Sequence, residues 1–214
     1  MREVTHLAVL VFGQTRARGA LRGWPTLQVR DVTDLDDAIG RYRRLVVVGA
    51  DADLAALLTR LLRAGRLDVE VAYAPPRPTR ATRAYRLPAG RRAARRAVRG
   101  SARRVTLVRD DTGSVVVGRA AWMPPDERRT VHGEAVVDDT VLFDGEVAAV
   151  LVEPTLAPPG LRARVGGLWH RWVAGRAAQL GCTGVTVVRD GRAAPRAARR
   201  STFYRNIEGW LLVG

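Results

Sequence analysis

The strongest constraint on the fold is the alternation of apolar runs with helical patterns through residues 7–73. Continuous apolar runs are typical of strands buried on both faces, and they predict strands at residues 7–12 and 45–48. Residues 27–32 and 69–73, where apolar and polar residues are mixed, are two further predicted strands. Asp34 is a predicted cap for a helix ending near Tyr42, and Asp53 for a second, leucine-striped helix that Gly65 closes. Strands alternating with helices predict a parallel, doubly wound sheet.

The pattern changes after Pro125. Short apolar runs there are separated by Asp and Gly turns, which is typical of an antiparallel sheet, and Asp144-Gly145 is a predicted hairpin turn. The sequence therefore predicts the α/β class, with an N-terminal doubly wound, mostly parallel lobe and then a mostly antiparallel β lobe. The expected domain ranges are 1–120 and 126–214.

Charge indicates an anionic partner. The 214 residues carry a formal net charge of +15, and all 36 basic residues are arginine. Arginine binds phosphate in a bidentate fork, although an arginine-, alanine- and glycine-rich composition also marks a GC-rich genome. The single cysteine, Cys182, fits a reducing compartment, so we expect a cytoplasmic protein. No apolar run reaches the roughly 18–20 residues that span a bilayer, and no signal peptide is expected.

An arginine-rich helix is predicted over residues 90–100. Its alanines occupy one face and its arginines the other, including Arg91, Arg92, Arg95 and Arg96. This face is either simply solvated or bound to an anionic surface such as lipid headgroups, which would make the protein peripheral to a membrane. Nucleic acid is the less favoured partner because no aromatic reading surface accompanies the arginines.

The segment Gly49-Ala50-Asp51-Ala52-Asp53 lies between a predicted buried strand and a helix. Such a corner directs backbone N–H groups and the positive end of the helix to one place, where an anion fits. An ordinary strand-to-helix connection remains the alternative. The chain has no Walker motif and no Gly-x-Gly-x-x-Gly segment.

This corner and three later segments resemble the diacylglycerol kinase catalytic family, which shares its nucleotide lobe with the NAD kinases. Residues 49–53 stand where that family has Gly-Gly-Asp-Gly-Thr, and Leu87-Pro88-Ala89-Gly90 stands where it has Pro-x-Gly-Thr. A strand ending in Asp110 follows, and Asp190-Gly191-Arg192 takes the place of a C-terminal Asp-Gly-Glu turn. Residues 201–213 resemble the closing strands of an actinobacterial branch.

The resemblance implies phosphoryl transfer from ATP and Mg²⁺ to a lipid hydroxyl. In that case Gly49 and Asp51 would lie at the phosphates, with Asp51 also at the metal. Gly90 would lie near the nucleotide, and Asp190 would be the catalytic base. Positioning and charge neutralisation would then carry the catalysis.

The departures from the family pattern predict weak or absent activity. Ala50 and Ala52 replace glycines that let the backbone approach phosphates, and Asp53 brings a negative charge in place of a threonine. Arg192 replaces the glutamate of the C-terminal turn, and the segment around 119–131 is too short for the usual middle of the lipid lobe. The alternative function is a non-catalytic protein that binds an anionic membrane or another polyanion through its arginine face.

Overall fold

The structure, a computed structural model, describes residues 5–125, 128–167 and 170–214. The chain forms two compact units. The first contains residues 5–105 together with Glu208–Gly214, and the second is Thr106–Ile207. No helix in the described residues is both long and apolar enough to cross a bilayer.

The described helices all belong to the first unit. They are a 3-10 helix at Gly19–Leu21 and the α-helices α1 (Val32–Arg41), α2 (Asp51–Arg63), α3 (Arg80–Ala84) and α4 (Gly90–Arg99).

Strands β1 to β5 lie in the first unit, β6 to β16 in the second, and β17 returns to the first. Their bounds are β1 Thr5–Phe12, β2 Thr26–Val29, β3 Tyr42–Val48, β4 Glu70–Tyr73, β5 Ala102–Val105, β6 Val108–Asp110, β7 Val115–Val116, β8 Ala120–Met123, β9 Val131–Val137, β10 Thr140–Val147, β11 Val150–Pro154, β12 Leu161–Val165, β13 Val173–Gly175, β14 Ala177–Arg189, β15 Arg192–Ala193, β16 Ala198–Arg205 and β17 Trp210–Val213.

The sheet of the first unit has the order β2-β1-β3-β4-β17-β5. Every neighbouring pair is parallel except β17 with β5. The apolar runs of β1 and β3 are buried, as expected for central strands covered on both faces. The predicted doubly wound, mostly parallel sheet is confirmed.

Two predicted helix starts were displaced by three residues. The side chain that caps α1 is Asp31, while Asp34 occupies the third helical position and accepts from the backbone N–H of Asp31. Likewise α2 begins after Ala50, and Asp53 is at its third position, where its carboxylate accepts from Ala50 N at 2.9 Å. In each helix the acidic residue is not the cap but accepts from the backbone N–H of the N-cap residue, as the third helical residue of a capping box does. Gly65 has φ of 64°, as its predicted closing role requires.

The second unit is an antiparallel sheet built around the long strand β14. Its first half pairs with β9 and β16, and its second half with β8 and β15. Buried Trp122 and Phe203 pack in its core with ring centroids 5.6 Å apart. The predicted β lobe is confirmed, but the hairpin turn at Asp144-Gly145 was wrong. Both residues lie inside β10, opposite Glu134 and Gly133 of β9, and the turn is at residues 138–139.

The unit boundaries differ from the division expected from the sequence. Strands β6, β7 and β8 belong to the antiparallel sheet, so residues 106–120 lie in the second unit. Strand β17 pairs with β4 and β5, which returns the end of the chain to the first unit. The expected boundary at residue 126 lies outside the described residues.

Candidate functional site

A cavity of about 680 Å³ opens at the carboxyl ends of the parallel strands of the first unit. It lies beyond Val48 at the end of β3 and Ala74 just after β4. The remaining lining residues come from the segment after β1, from the segment after β4 and from the start of α4: Gln14, Thr15, Arg16, Arg18, Gly19, Leu21, Arg22, Pro75, Pro76, Gly90, Arg91 and Ala94.

Sheet topology explains why a cavity forms there. From β1 the chain crosses to β2 on one side, and β3 then returns to the other side of β1. The connections after β1 and β3 therefore diverge, which opens a crevice beyond the carboxyl ends of these strands. Ligands of open α/β sheets bind at such switch points.

The turn after β1 is fastened to the end of β3. The Thr15 hydroxyl lies 2.6 Å from the carbonyl oxygen of Phe12 and 2.8 Å from that of Val48, and it accepts a hydrogen bond from Phe12 N at 3.1 Å. Gly13 adopts φ of 58°, a left-handed conformation that glycine tolerates at little cost. This one threonine therefore ties together the two strands beside the cavity.

Helix α4 presents its N-terminus to the same cavity. Gly90 has φ of 61°, and its N–H donates to the carbonyl of Pro75 at 2.8 Å. The residue before it, Ala89, has no side chain that can cap the helix, and the first turn has no acidic residue. The positive end of the helix and Arg91 therefore lie at the cavity wall.

Four arginines line the cavity: Arg16, Arg18, Arg22 and Arg91. All four are exposed, and none forms an ion pair within the described part of the chain. No Asp, Glu or His is found among the described lining residues. The cavity is therefore positively charged, and an anionic ligand would offset the mutual repulsion of its arginines.

Arg44 connects the C-terminal end of α4 to the sheet. This arginine of β3 is 6% exposed, and it forms an ion pair with Glu70 of β4 at 2.6 Å. Its guanidinium also donates to the carbonyls of Ala97 and Val98 at 3.1 and 3.2 Å. Near a helix C-terminus these carbonyls have no intrahelical partner, so the arginine satisfies them and fixes the helix on the sheet.

The corner at residues 49–53 does not line the cavity. Gly49 is buried, and a Cβ atom at that position would lie 2.6 Å from the carboxylate of Asp53. Ala50 has φ of −87°, so its side chain causes no backbone strain. The side chain of Asp53 thus fills the space beside Gly49, and the alanine at position 50 fits its backbone conformation.

Asp51 contacts two groups of the protein itself. One carboxylate oxygen accepts from the Tyr73 hydroxyl at 2.9 Å, and the other accepts from the backbone N–H of Ala81 at 3.1 Å. The second bond holds the N-terminal turn of α3. Burial raises the pKa of Tyr73, and the nearby charge of Asp51 raises it further, so the phenol stays protonated as a donor.

Asp190 lies in the second unit at the turn between β14 and β15. Its carboxylate accepts from the backbone N–H groups of Val117, Gly118 and Arg119 at 3.0, 2.7 and 2.9 Å. Its own φ is 47°. These three bonds connect β14 to the segment between β7 and β8, so the carboxylate has an evident structural role.

The predicted site residues thus fall into four groups. Gly90 and Arg91 line the cavity; Gly49 and Asp51 form the neighbouring corner; Asp190 belongs to the second unit. The exposed arginines of α4 form a separate surface, which we call the α4 face: Arg92, Arg95, Arg96 and Arg99. Its opposite side is buried through Ala93, Ala94 and Ala97. The helical pattern had predicted Ala94, Ala97 and Val98 there, and Val98 is only partly buried.

Sequence reasoning missed the segment Gln14–Arg22, which supplies half of the cavity lining. The signal was its position directly after β1, because residues that follow the central strands of a doubly wound sheet gather at the ligand-binding edge. Three arginines within seven residues there were counted only in the total charge.

Solved structures with the same fold include a diacylglycerol kinase from Bacillus anthracis str. Sterne, with a TM-score of 0.70 and 10% identity over 96% of both chains. For an NAD kinase from Archaeoglobus fulgidus in complex with ATP the TM-score is 0.65 and the sequence identity is 13%, over 97% of this chain and 93% of that one. For yeast NADH kinase complexed with NADH the TM-score is 0.58 and the sequence identity is 11%, over 90% of this chain and 67% of that one. The fold is that of the diacylglycerol kinases and NAD kinases. No protein-family model and no curated protein matches the sequence.

The described lining of the cavity offers no protein ligand for a magnesium ion. Mg²⁺ is usually bound by one or two carboxylates together with substrate phosphates. No carboxylate is found among the described lining residues, and both oxygens of Asp51 already accept hydrogen bonds. The described part of the chain also has no group of three or more His, Cys, Asp or Glu side chains that could hold a metal ion.

Proposed function

We propose that the first unit binds a nucleotide in the cavity at the carboxyl ends of β1, β3 and β4, and that phosphoryl transfer to a lipid hydroxyl is weak or absent. The observation that carries the proposal is the arginine-lined cavity at the switch point of the sheet, next to the uncapped N-terminus of α4.

The composition of the lining supports a nucleotide over a simple anion. Four arginines can pair with phosphates, while Leu21, Val48 and the two prolines after β4 offer apolar walls for a base. A volume near 680 Å³ is within the range of small-molecule sites. Solved proteins of this fold include an NAD kinase in complex with ATP and a yeast kinase in complex with NADH.

The states of two carboxylates support weak or absent catalysis. Asp51, proposed at the phosphates and metal, contacts Tyr73 and Ala81 instead of the cavity. Asp190, the proposed base, accepts three backbone N–H groups and so has most of its acceptor positions occupied. A proton acceptor in phosphoryl transfer needs a free position directed at the acceptor hydroxyl.

Nucleotide-dependent stabilisation tests the binding proposal. ATP at a hundred times its dissociation constant should stabilise the protein by about 2.7 kcal/mol. Turnover with diacylglycerol in detergent micelles tests the catalytic part, for which we expect little or no product. Robust turnover that Asp51→Asn or Asp190→Asn abolishes, in variants that stay folded, would contradict the weak-activity proposal.

A second candidate function uses the α4 face on an anionic membrane or another polyanion. The observation in its favour is that Arg92, Arg95, Arg96 and Arg99 are all exposed and form no ion pair within the described residues. Co-sedimentation with liposomes should then require anionic lipid and weaken when three of the four are replaced by glutamine. Binding that those replacements leave unchanged would reject this surface.

A further inference from the structure

We infer that the cavity takes its phosphate chain in the metal-free form, with arginines in the place that Mg²⁺ holds in magnesium-dependent kinases. The inference deepens the nucleotide site proposed above and rests on it. It names the ligand class as a nucleoside di- or triphosphate whose charge is not already cancelled by a divalent cation.

The first step is the charge of the lining. The described lining residues include four arginines and no acidic side chain, so the cavity carries a large net positive charge. A guanidinium is charged at every physiological pH and pairs with phosphate oxygens through parallel N–H donors. A bound Mg²⁺ cancels part of the charge of a phosphate chain and occupies some of the same oxygens. Arginines and magnesium therefore compete for the ligand.

The second step is the state of the acidic residues nearby. Asp51 is bound through both oxygens to Tyr73 and Ala81, and Asp53 accepts from Ala50 N. These bonds hold α3 and the first turn of α2, and neither carboxylate is among the described lining residues of the cavity. Mg²⁺ is usually held by one or two protein carboxylates in addition to its waters and the substrate phosphates, and the described lining of this cavity offers none.

The third step is the uncapped N-terminus of α4. The first turn has no side-chain cap, and Gly90 and Arg91 form part of the cavity wall. The N–H of Gly90 donates to Pro75, which leaves the N–H groups of the next residues for an anion. These donors are fixed, and they stabilise negative charge without help from a cation. The phosphate chain thus meets positive charge from the segment after β1 on one side and from α4 on the other.

Calorimetric titration with ATP, in EDTA and in excess Mg²⁺ at matched ionic strength, tests the inference. We expect ATP in EDTA to bind about tenfold more tightly, the effect of roughly one charge-assisted contact. The variant carrying Arg16→Gln and Arg22→Gln should lose at least about tenfold in EDTA and less in Mg²⁺. Arg63→Gln, an exposed arginine of α2 outside the cavity, is the matched control and should bind as the parent does.

The outcomes separate the inference from the proposed function. ATP that binds equally or more tightly with Mg²⁺ overturns the inference and leaves the nucleotide site intact. Absence of binding under both conditions, or binding unchanged by the double replacement, overturns the nucleotide site itself. Sodium tripolyphosphate is the third probe. If it binds as tightly as ATP in EDTA, the metal-free site stands but its ligand is a phosphate chain without a base.

Discussion

Replacing Asp51 by asparagine tests whether this carboxylate stabilises the fold or serves a bound phosphate. The structure gives it two donors, the hydroxyl of Tyr73 at 2.9 Å and the N–H of Ala81 at 3.1 Å. An asparagine offers one carbonyl oxygen and one NH₂ group, so either donor can keep an acceptor but not both. Tyr73 is 3% exposed, and water therefore replaces the lost acceptor poorly.

The expected cost follows from those contacts. A hydrogen bond to a charged group contributes about 1.5–3 kcal/mol, and the half-buried position of Asp51 places it at the lower end. We expect Asp51→Asn to lower the free energy of unfolding by about 2 kcal/mol and Asp51→Ala by about 3 kcal/mol. Tyr73→Phe should lower the free energy of unfolding by about 1 kcal/mol. Combined with Asp51→Asn it should show a coupling energy of about 1 kcal/mol, because both substitutions remove the same hydrogen bond.

Urea denaturation and amide hydrogen exchange measure this effect. Exchange should accelerate in α3, whose N-terminal turn Asp51 holds, and ATP affinity should change little because Asp51 does not line the cavity. Asp37→Asn on the exposed side of α1 is the matched control, expected within about 0.5 kcal/mol of the parent. An Asp51→Asn protein as stable as the parent, or more stable, would refute the structural role and restore the case for a functional carboxylate.

Three further perturbations follow from buried polar groups. Arg44→Met should lower the free energy of unfolding, measured by urea denaturation, by about 3 kcal/mol, since it leaves Glu70 and two helix carbonyls without their donor. Glu70→Gln keeps an acceptor for Arg44 and should lower it by less. Asp110 is fully buried, accepts three local donors and pairs with Arg189, so Asp110→Ala should destabilise the second unit by about 3 kcal/mol. Because the pKa of Tyr73 is raised in the folded state, the unfolded chain loses that proton first. Stability should therefore fall as pH rises through about 10, and Tyr73→Phe should flatten this decline.

The sequence predicted the sheet of the first unit because its strands are marked by burial on both faces. The continuous apolar run at residues 45–48 predicts a central strand, and the leucine stripe of α2 predicts which face of that helix packs on the sheet. Helix starts were harder to predict. Asp31 and Asp34 are both good capping residues, and only the backbone conformation shows which of them is the cap.

The position of β17 could not be inferred from local patterns. Trp210–Val213 is an apolar run like those of the second unit, and its pairing with β4 depends on a contact between residues far apart in the chain. The hairpin expected at Asp144-Gly145 failed for a related reason. Asp138-Asp139, without glycine, makes the turn, and glycine at position 145 instead faces Gly133 on the partner strand.

Part of the candidate site was predictable. The resemblance to kinases pointed to Gly90, and the arginine pattern of the helix pointed to Arg91 as a residue for an anionic surface; both line the cavity. The segment after β1 carries no motif of that family, so its arginines were not singled out. Only the order β2-β1-β3 brings them opposite α4, and strand order is a property of the whole sheet.

Amide hydrogen exchange with and without ATP shows most directly whether a nucleotide binds at the arginine-lined edge of the first unit. We expect added protection in residues 12–22 and in the first turn of α4, with no change at Asp190 or in β14. The parent protein should show this protection in EDTA, and the Arg16→Gln, Arg22→Gln variant should lose it. Protection confined to the second unit, or ATP binding without protection of residues 12–22, would contradict binding at that edge.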